Sequence, residues 1–187
     1  MNLFYTILQQ AKEEDKPVAL RLHAPEGPKL YLGYLLDYNE ETISLRSLTQ
    51  QGLPNGILIL KTSDLFGVDF DDIFLRRLET KGNNLRKIYA DTAVPALFHI
   101  GNCSMVEILV QAQKEQQLIY LYLYQDLGLY GFIKEVTESE FLMEVYSSYG
   151  QYDGLSVHQI ENVKNINWED EDTRIVRILL DAQKSVN

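Results

Sequence analysis

Only one cysteine, Cys103, occurs in the 187 residues of the chain. An intrachain disulfide is therefore impossible, and a reducing, cytoplasmic compartment is the simple expectation. Histidine is almost as scarce: His23, His99 and His158 are scattered, and no pair has metal-ligand spacing. There is no glycine-rich phosphate loop and no Gly-x-Ser-x-Gly elbow. No apolar run approaches the ~20 residues of a spanning helix. Residues 1–10 lack the basic start and long apolar core of a signal peptide. These absences lead to the expectation of a non-enzyme without metal, cofactor or membrane association.

Positive charge is also short. Seventeen Lys and Arg face 27 Asp and Glu, for a formal net charge of −10. A nucleic-acid binder must neutralise phosphates with clustered cations, so nucleic acid is a disfavoured partner. An anionic membrane surface is disfavoured for the same reason. Residues 79–101 alone are net basic, through Lys81, Arg86 and Lys87.

What is present is an internal repeat. Ile7-Leu8-Gln9-Gln10-Ala11 returns as Ile108-Leu109-Val110-Gln111-Ala112, 101 residues later. Beyond a turn rich in Pro and Gly, between His23 and Leu30, the offset settles at 98. Gly33 then matches Gly131, Glu40 matches Glu138, Gly52 matches Gly150 and Gly56 matches Gly154. Apolar class is kept at Leu35 and Ile133, Ile43 and Phe141, Leu45 and Met143, Ile59 and Val157, and Val68 and Ile166. The only change of length falls in a loop, where chains tolerate it. Tandem duplication is the reading that fits.

Each copy opens on an amphipathic helix. Leu3, Phe4, Ile7, Leu8 and Ala11 share one face, as do Met105, Ile108, Leu109 and Ala112, with Asn102 or Ser104 as N-cap. Five short strands follow, expected at 17–23, 29–37, 41–48, 57–61 and 66–70. Their counterparts are expected at 118–124, 127–136, 139–147, 155–159 and 164–168. Asn55-Gly56 and Asp153-Gly154 read as turns, because both residue types accept positive φ. Residues 73–78 suggest a short helix. A longer one spans 169–184, with Ile175, Val176, Ile178, Leu179 and Ala182 on its apolar face. The domains expected are 1–78, a partly extended linker at 79–101, and 102–187.

A helix followed by a five-stranded meander resembles the Sm-like (Lsm and Hfq type) small barrel. The residues carrying the resemblance are Tyr31-Leu32-Gly33-Tyr34-Leu35 and Leu129-Tyr130-Gly131-Phe132-Ile133. It implies an α+β, mainly β chain. Two tandem five-stranded small barrels are expected, each preceded by a helix, with a C-terminal helix at the end. The family's RNA-contacting positions are substituted, by Asn39 and Ile43 in copy one and Thr137 and Phe141 in copy two. Its second motif is replaced by Lys61-Thr62-Ser63 and Gln159-Ile160-Glu161. The barrel carries over as an expectation; the RNA site does not.

The candidate partner-binding residues are Tyr120, Tyr122 and Tyr124. They alternate with Ile119, Leu121 and Leu123, so one strand is apolar on both faces. Copy one has Ala19, Arg21 and His23 there. A tyrosine face needs a cover: the linker, the C-terminal helix, another subunit or stacked bases. The acidic runs at Asp69-Phe70-Asp71-Asp72 and Glu169-Asp170-Glu171-Asp172 read as helix starts rather than cation sites. The function expected is a non-catalytic interaction or assembly module that binds a protein or itself. An RNA-binding Sm-like protein is the alternative.

Overall fold

The computed structural model describes residues 3–91, 103–124 and 127–184. The chain divides into two compact units, Met1–Asn84 and Leu85–Asn187.

In the first unit, α1 (Leu3–Glu13) leads into β1 (Pro17–Leu22), β2 (Lys29–Tyr38), β3 (Thr42–Leu48), β4 (Pro54–Lys61) and β5 (Leu65–Phe70). The strands pair antiparallel in the order β4-β3-β2-β1-β5. α1 buries Leu8 and Ala11 against Val18, Leu20, Leu35, Ile43 and Leu45. Leu60 of β4 and Val68 of β5 pack on this same cluster, although their strands are opposite ends of the sheet. The sheet therefore curls around one core without closing: among the described residues β4 and β5 do not pair. Closed barrels were expected; what is observed in each unit is an open five-stranded antiparallel sheet.

The second unit repeats this arrangement. α4 (Met105–Lys114) precedes β6 (Leu118–Leu123), β7 (Leu127–Val136), β8 (Glu140–Tyr146), β9 (Tyr152–Gln159) and β10 (Val163–Trp168), ordered β10-β6-β7-β8-β9. From β2 and β7 onward every strand boundary is displaced by the sequence offset of 98. Register agrees as well. Gly33 sits opposite Val18 and Ser47, and Gly131 opposite Ile119 and Val145. Leu109, Ile119, Leu121, Ile133, Phe141 and Met143 form the core. Ser104 caps α4 in a reciprocal box with Glu107, which satisfies two otherwise orphaned N–H donors. Asn102, the other candidate cap, lies outside the described residues.

Three expectations are corrected. Asn55-Gly56 and Asp153-Gly154 are not hairpin turns. The turns fall earlier, where the Gly52 and Gly150 N–H groups donate to Thr49 and Ser147 carbonyls. Gly56 (φ 78°) and Gly154 (φ 108°) instead make bulges inside β4 and β9, which a positive-φ glycine accommodates. Second, residues 79–88, the start of the expected, partly extended linker, are largely helical. The helix foreseen at 73–78 runs on as α2 (Ile73–Asn83), and a short α3 (Leu85–Ile88) follows. Leu75 and Leu78 bury against Ala19 and Leu32, on the sheet face away from α1, and in the added turn Lys81 is buried. The rest of the expected linker, residues 92–101, lies outside the described residues. Third, α5 (Glu171–Lys184) starts two residues late, and it buries Leu180 while leaving Ala182 exposed.

α2 and α5 are thus the same element of the repeat. Asp72 accepts from the Leu75 N–H at 2.7 Å and Asp170 from the Thr173 N–H at 2.9 Å. Each cap follows a left-handed residue, Asp71 or Glu169. The acidic runs are helix starts, as their position suggests.

Candidate interaction surface

Every strand has a core face and an outer face, and the outer faces decide what the units present to a partner. On β6, Ile119, Leu121 and Leu123 are buried, which turns the tyrosines outward. Tyr120 is half-buried, its ring tilted on Tyr130 with centroids 4.6 Å apart. Tyr122 is half-buried under the Lys164 ammonium, 4.9 Å from its ring centre. Tyr124 is exposed. α5 covers the other end of this face, where Val176 and Leu180 pack on Leu118 and Phe132. Tyr120 and Tyr122 therefore already have partners within their own unit.

The most exposed aliphatic side chains of the strands lie elsewhere, on β4 and β9. Ile57 is 72% exposed and Ile59 65%, while Leu155 is 61% and Val157 62%. These are the same two positions of the repeat, offset by 98. Their direction follows from register. Ile57 and Ile59 sit opposite Arg46 and Ser44, and Leu155 and Val157 opposite Glu144 and Leu142, all outer-face residues. Leu58 and Leu60 alternate with them and are partly covered. β4 and β9 also end the strand orders, so among the described residues one backbone edge of each has no neighbouring strand within its sheet. The signal was in the sequence as Ile57-Leu58-Ile59-Leu60, but an apolar run does not say which face is covered.

The ring system continues across the second sheet. Tyr146 meets Phe132 and Tyr152 edge-on, and burial, with Glu144 beside it, pushes the Tyr146 hydroxyl above its ordinary pKa. Arg177 lies over Phe132.

The chemistry-bearing residues are structurally committed. His23 stacks on Phe66, and His158 pairs with the Ser156 hydroxyl at 2.7 Å; His99 lies outside the described residues. Cys103 precedes the Ser104 cap and is partly exposed. Among the described residues no three His, Cys, Asp or Glu are grouped to hold a metal ion. A shallow cleft of about 460 Å³ in the second unit is lined by Lys87, Glu115, Glu169, Arg174 and Arg177. Its two arginines are engaged: Arg174 donates to the Ile88 and Ala90 carbonyls, and Arg177 to the Gln116 carbonyl. At the substituted Sm-type positions, the Asn39 side chain accepts from the Glu41 and Thr42 N–H groups. The Thr137 hydroxyl accepts from Glu140, and Ile43 and Phe141 are core.

No helix among the described residues is long and apolar enough to cross a membrane. No protein family, curated protein or solved structure compared with the chain matches it.

Proposed function

We propose that the chain is a non-catalytic, cytoplasmic interaction module, built from two open small barrels of Sm-like kind, whose contact surfaces are the β4 and β9 edges. The observation that carries this reading is the doubled aliphatic pair, Ile57 with Ile59 and Leu155 with Val157, bare on strands that end their sheets. Natural edge strands are usually blunted by charge, because a flat apolar edge invites pairing. No charged residue stands between Pro54 and Leu60. The helix-then-five-strand order of each unit supports the Sm-like resemblance. The single cysteine supports the compartment.

A photoreactive amino acid at position 57 or 155 tests the reading in the cell that makes the protein. Both positions should give covalent adducts, while the exposed loop position Glu26 should give none. Absence of adducts at both edge positions overturns the proposal. A nuclease-sensitive adduct would instead favour the RNA-binding alternative.

A further inference from the structure

Among the described residues the four sheet edges are not alike. The β5 edge carries Asp69, paired with Arg21 at 2.7 Å, and the β10 edge carries Lys164, Asn165 and Asn167. Such polar groups discourage further strands from adding. The β4 and β9 edges instead expose aliphatic pairs, Ile57 with Ile59 and Leu155 with Val157, and their few charges are opposite. Lys61 is the only charged residue of β4, and Asp153 is the only carboxylate of β9; both are exposed.

Building on the interaction-module reading, we infer that the partner is a second copy of this chain, whose β9 adds antiparallel to the β4 edge. Antiparallel strands place directly opposite residues on the same face. Setting Ile59 against Leu155 puts Ile57 against Val157, so all four exposed aliphatic side chains meet on one outer face. The same register brings Lys61 to Tyr152 and Asp153, a ring and a carboxylate at the bulge. In this register the four exposed aliphatic side chains meet one another and the one cation of β4 meets the one carboxylate of β9. Like-with-like registers can also gather four aliphatic side chains, but they leave the charges unmatched. Ile57 opposite the Ile59 of a second β4 sets Lys61 opposite Asn55, and Leu155 opposite the Val157 of a second β9 sets Asp153 opposite Gln159. The contact is heterologous, since β4 of one copy meets β9 of the next, so association proceeds to a reciprocal dimer or to longer head-to-tail assemblies.

Sedimentation velocity of the full chain, over a concentration series, tests this. The wild type should associate beyond its 21.6 kDa monomer. Lys61→Asp and Asp153→Lys should each weaken association by about fivefold, the scale of a cross-strand charge pair. The double charge swap should recover most of it. Ile59→Lys should leave only monomer, provided circular dichroism shows it folded; the two charge variants are exposed and serve where it is not. A strictly monomeric wild type, or association indifferent to all of these changes, overturns the inference. Adducts at position 155 to a different protein, with a monomeric chain, overturn the second-copy assignment while leaving the interaction-module reading intact. Absence of any adduct removes both.

Discussion

The carbonyl oxygen of Arg46 lies 2.5 Å from the point that a β-carbon on Gly33 would occupy. The same relationship holds between Gly131 and Glu144, at the equivalent place in the second sheet. In both, the obstacle is backbone of the neighbouring strand, which cannot swing aside as a side chain can. The repeated glycine is therefore a packing requirement of the β2–β3 and β7–β8 contacts.

Gly33→Ala and Gly131→Ala should each destabilise the unit that carries the change, by about 2 kcal/mol, through forced separation of paired strands. Urea denaturation followed by circular dichroism checks this. Variants with wild-type midpoints would mean that the sheets relax freely at these positions.

The two helix caps differ in how much they hold. Asp72 caps α2 through the Leu75 N–H, whereas Asp170 also accepts from the Thr173 hydroxyl at 2.7 Å and from Asn167 at 2.8 Å. Asp72→Ala should lower stability by about 1 kcal/mol, and Asp170→Ala by more. Thermal melts of the two variants should rank them in that order; the reverse order would assign the extra bonds no energetic weight.

His158 gives the second unit a pH response. Desolvation holds its imidazole below the ordinary value of 6.5. The unfolded chain then binds a proton more readily than the folded one, so this contribution is fully present above pH 6.5 and fades as pH falls towards the folded value. Melting temperature should therefore drop between pH 7.5 and 5.5, and His158→Gln should flatten that drop. An unchanged profile in the variant would place the response on another group.

Tyr122→Ser removes a half-buried ring and its contact with Lys164. The loss expected is about 1 kcal/mol of stability, with the association state unchanged because the edge strands are untouched. Calorimetry and sedimentation on the same sample separate these effects. A variant with wild-type stability but weaker association would return the partner surface to the tyrosine strand.

Much of this architecture could be read along the chain. The constant offset of 98 after the Pro- and Gly-rich loop gave matched strands with matched register, because a one-residue slip in a strand turns its whole apolar set to the wrong side. Helix starts were legible in Ser104 and in the acidic runs, since capping is local chemistry. The length of α2 was not. Its last turn, residues 79–83, has weak periodicity, contains Gly82 and buries Lys81, while the apolar anchors Leu75 and Leu78 lie in its first turns. The Asn55-Gly56 reading failed for a related reason. Positive φ serves turns and bulges alike, and only the pairing of β3 with β4 decides between them.

By itself, then, the sequence determined the repeat, the element order and, where apolar and polar residues alternate as in Ile43-Ser44-Leu45-Arg46, the side of a strand that faces the core, all of which follow from local periodicity and turn chemistry. Tertiary structure decided the rest. It showed that each sheet stays open, that the β6 tyrosines find partners in their own unit, and that Ile57, Ile59, Leu155 and Val157 remain bare. Periodicity records that a residue is apolar. Whether it is covered depends on which strand lies at the end of the sheet, and that is fixed by pairing between distant segments of the chain.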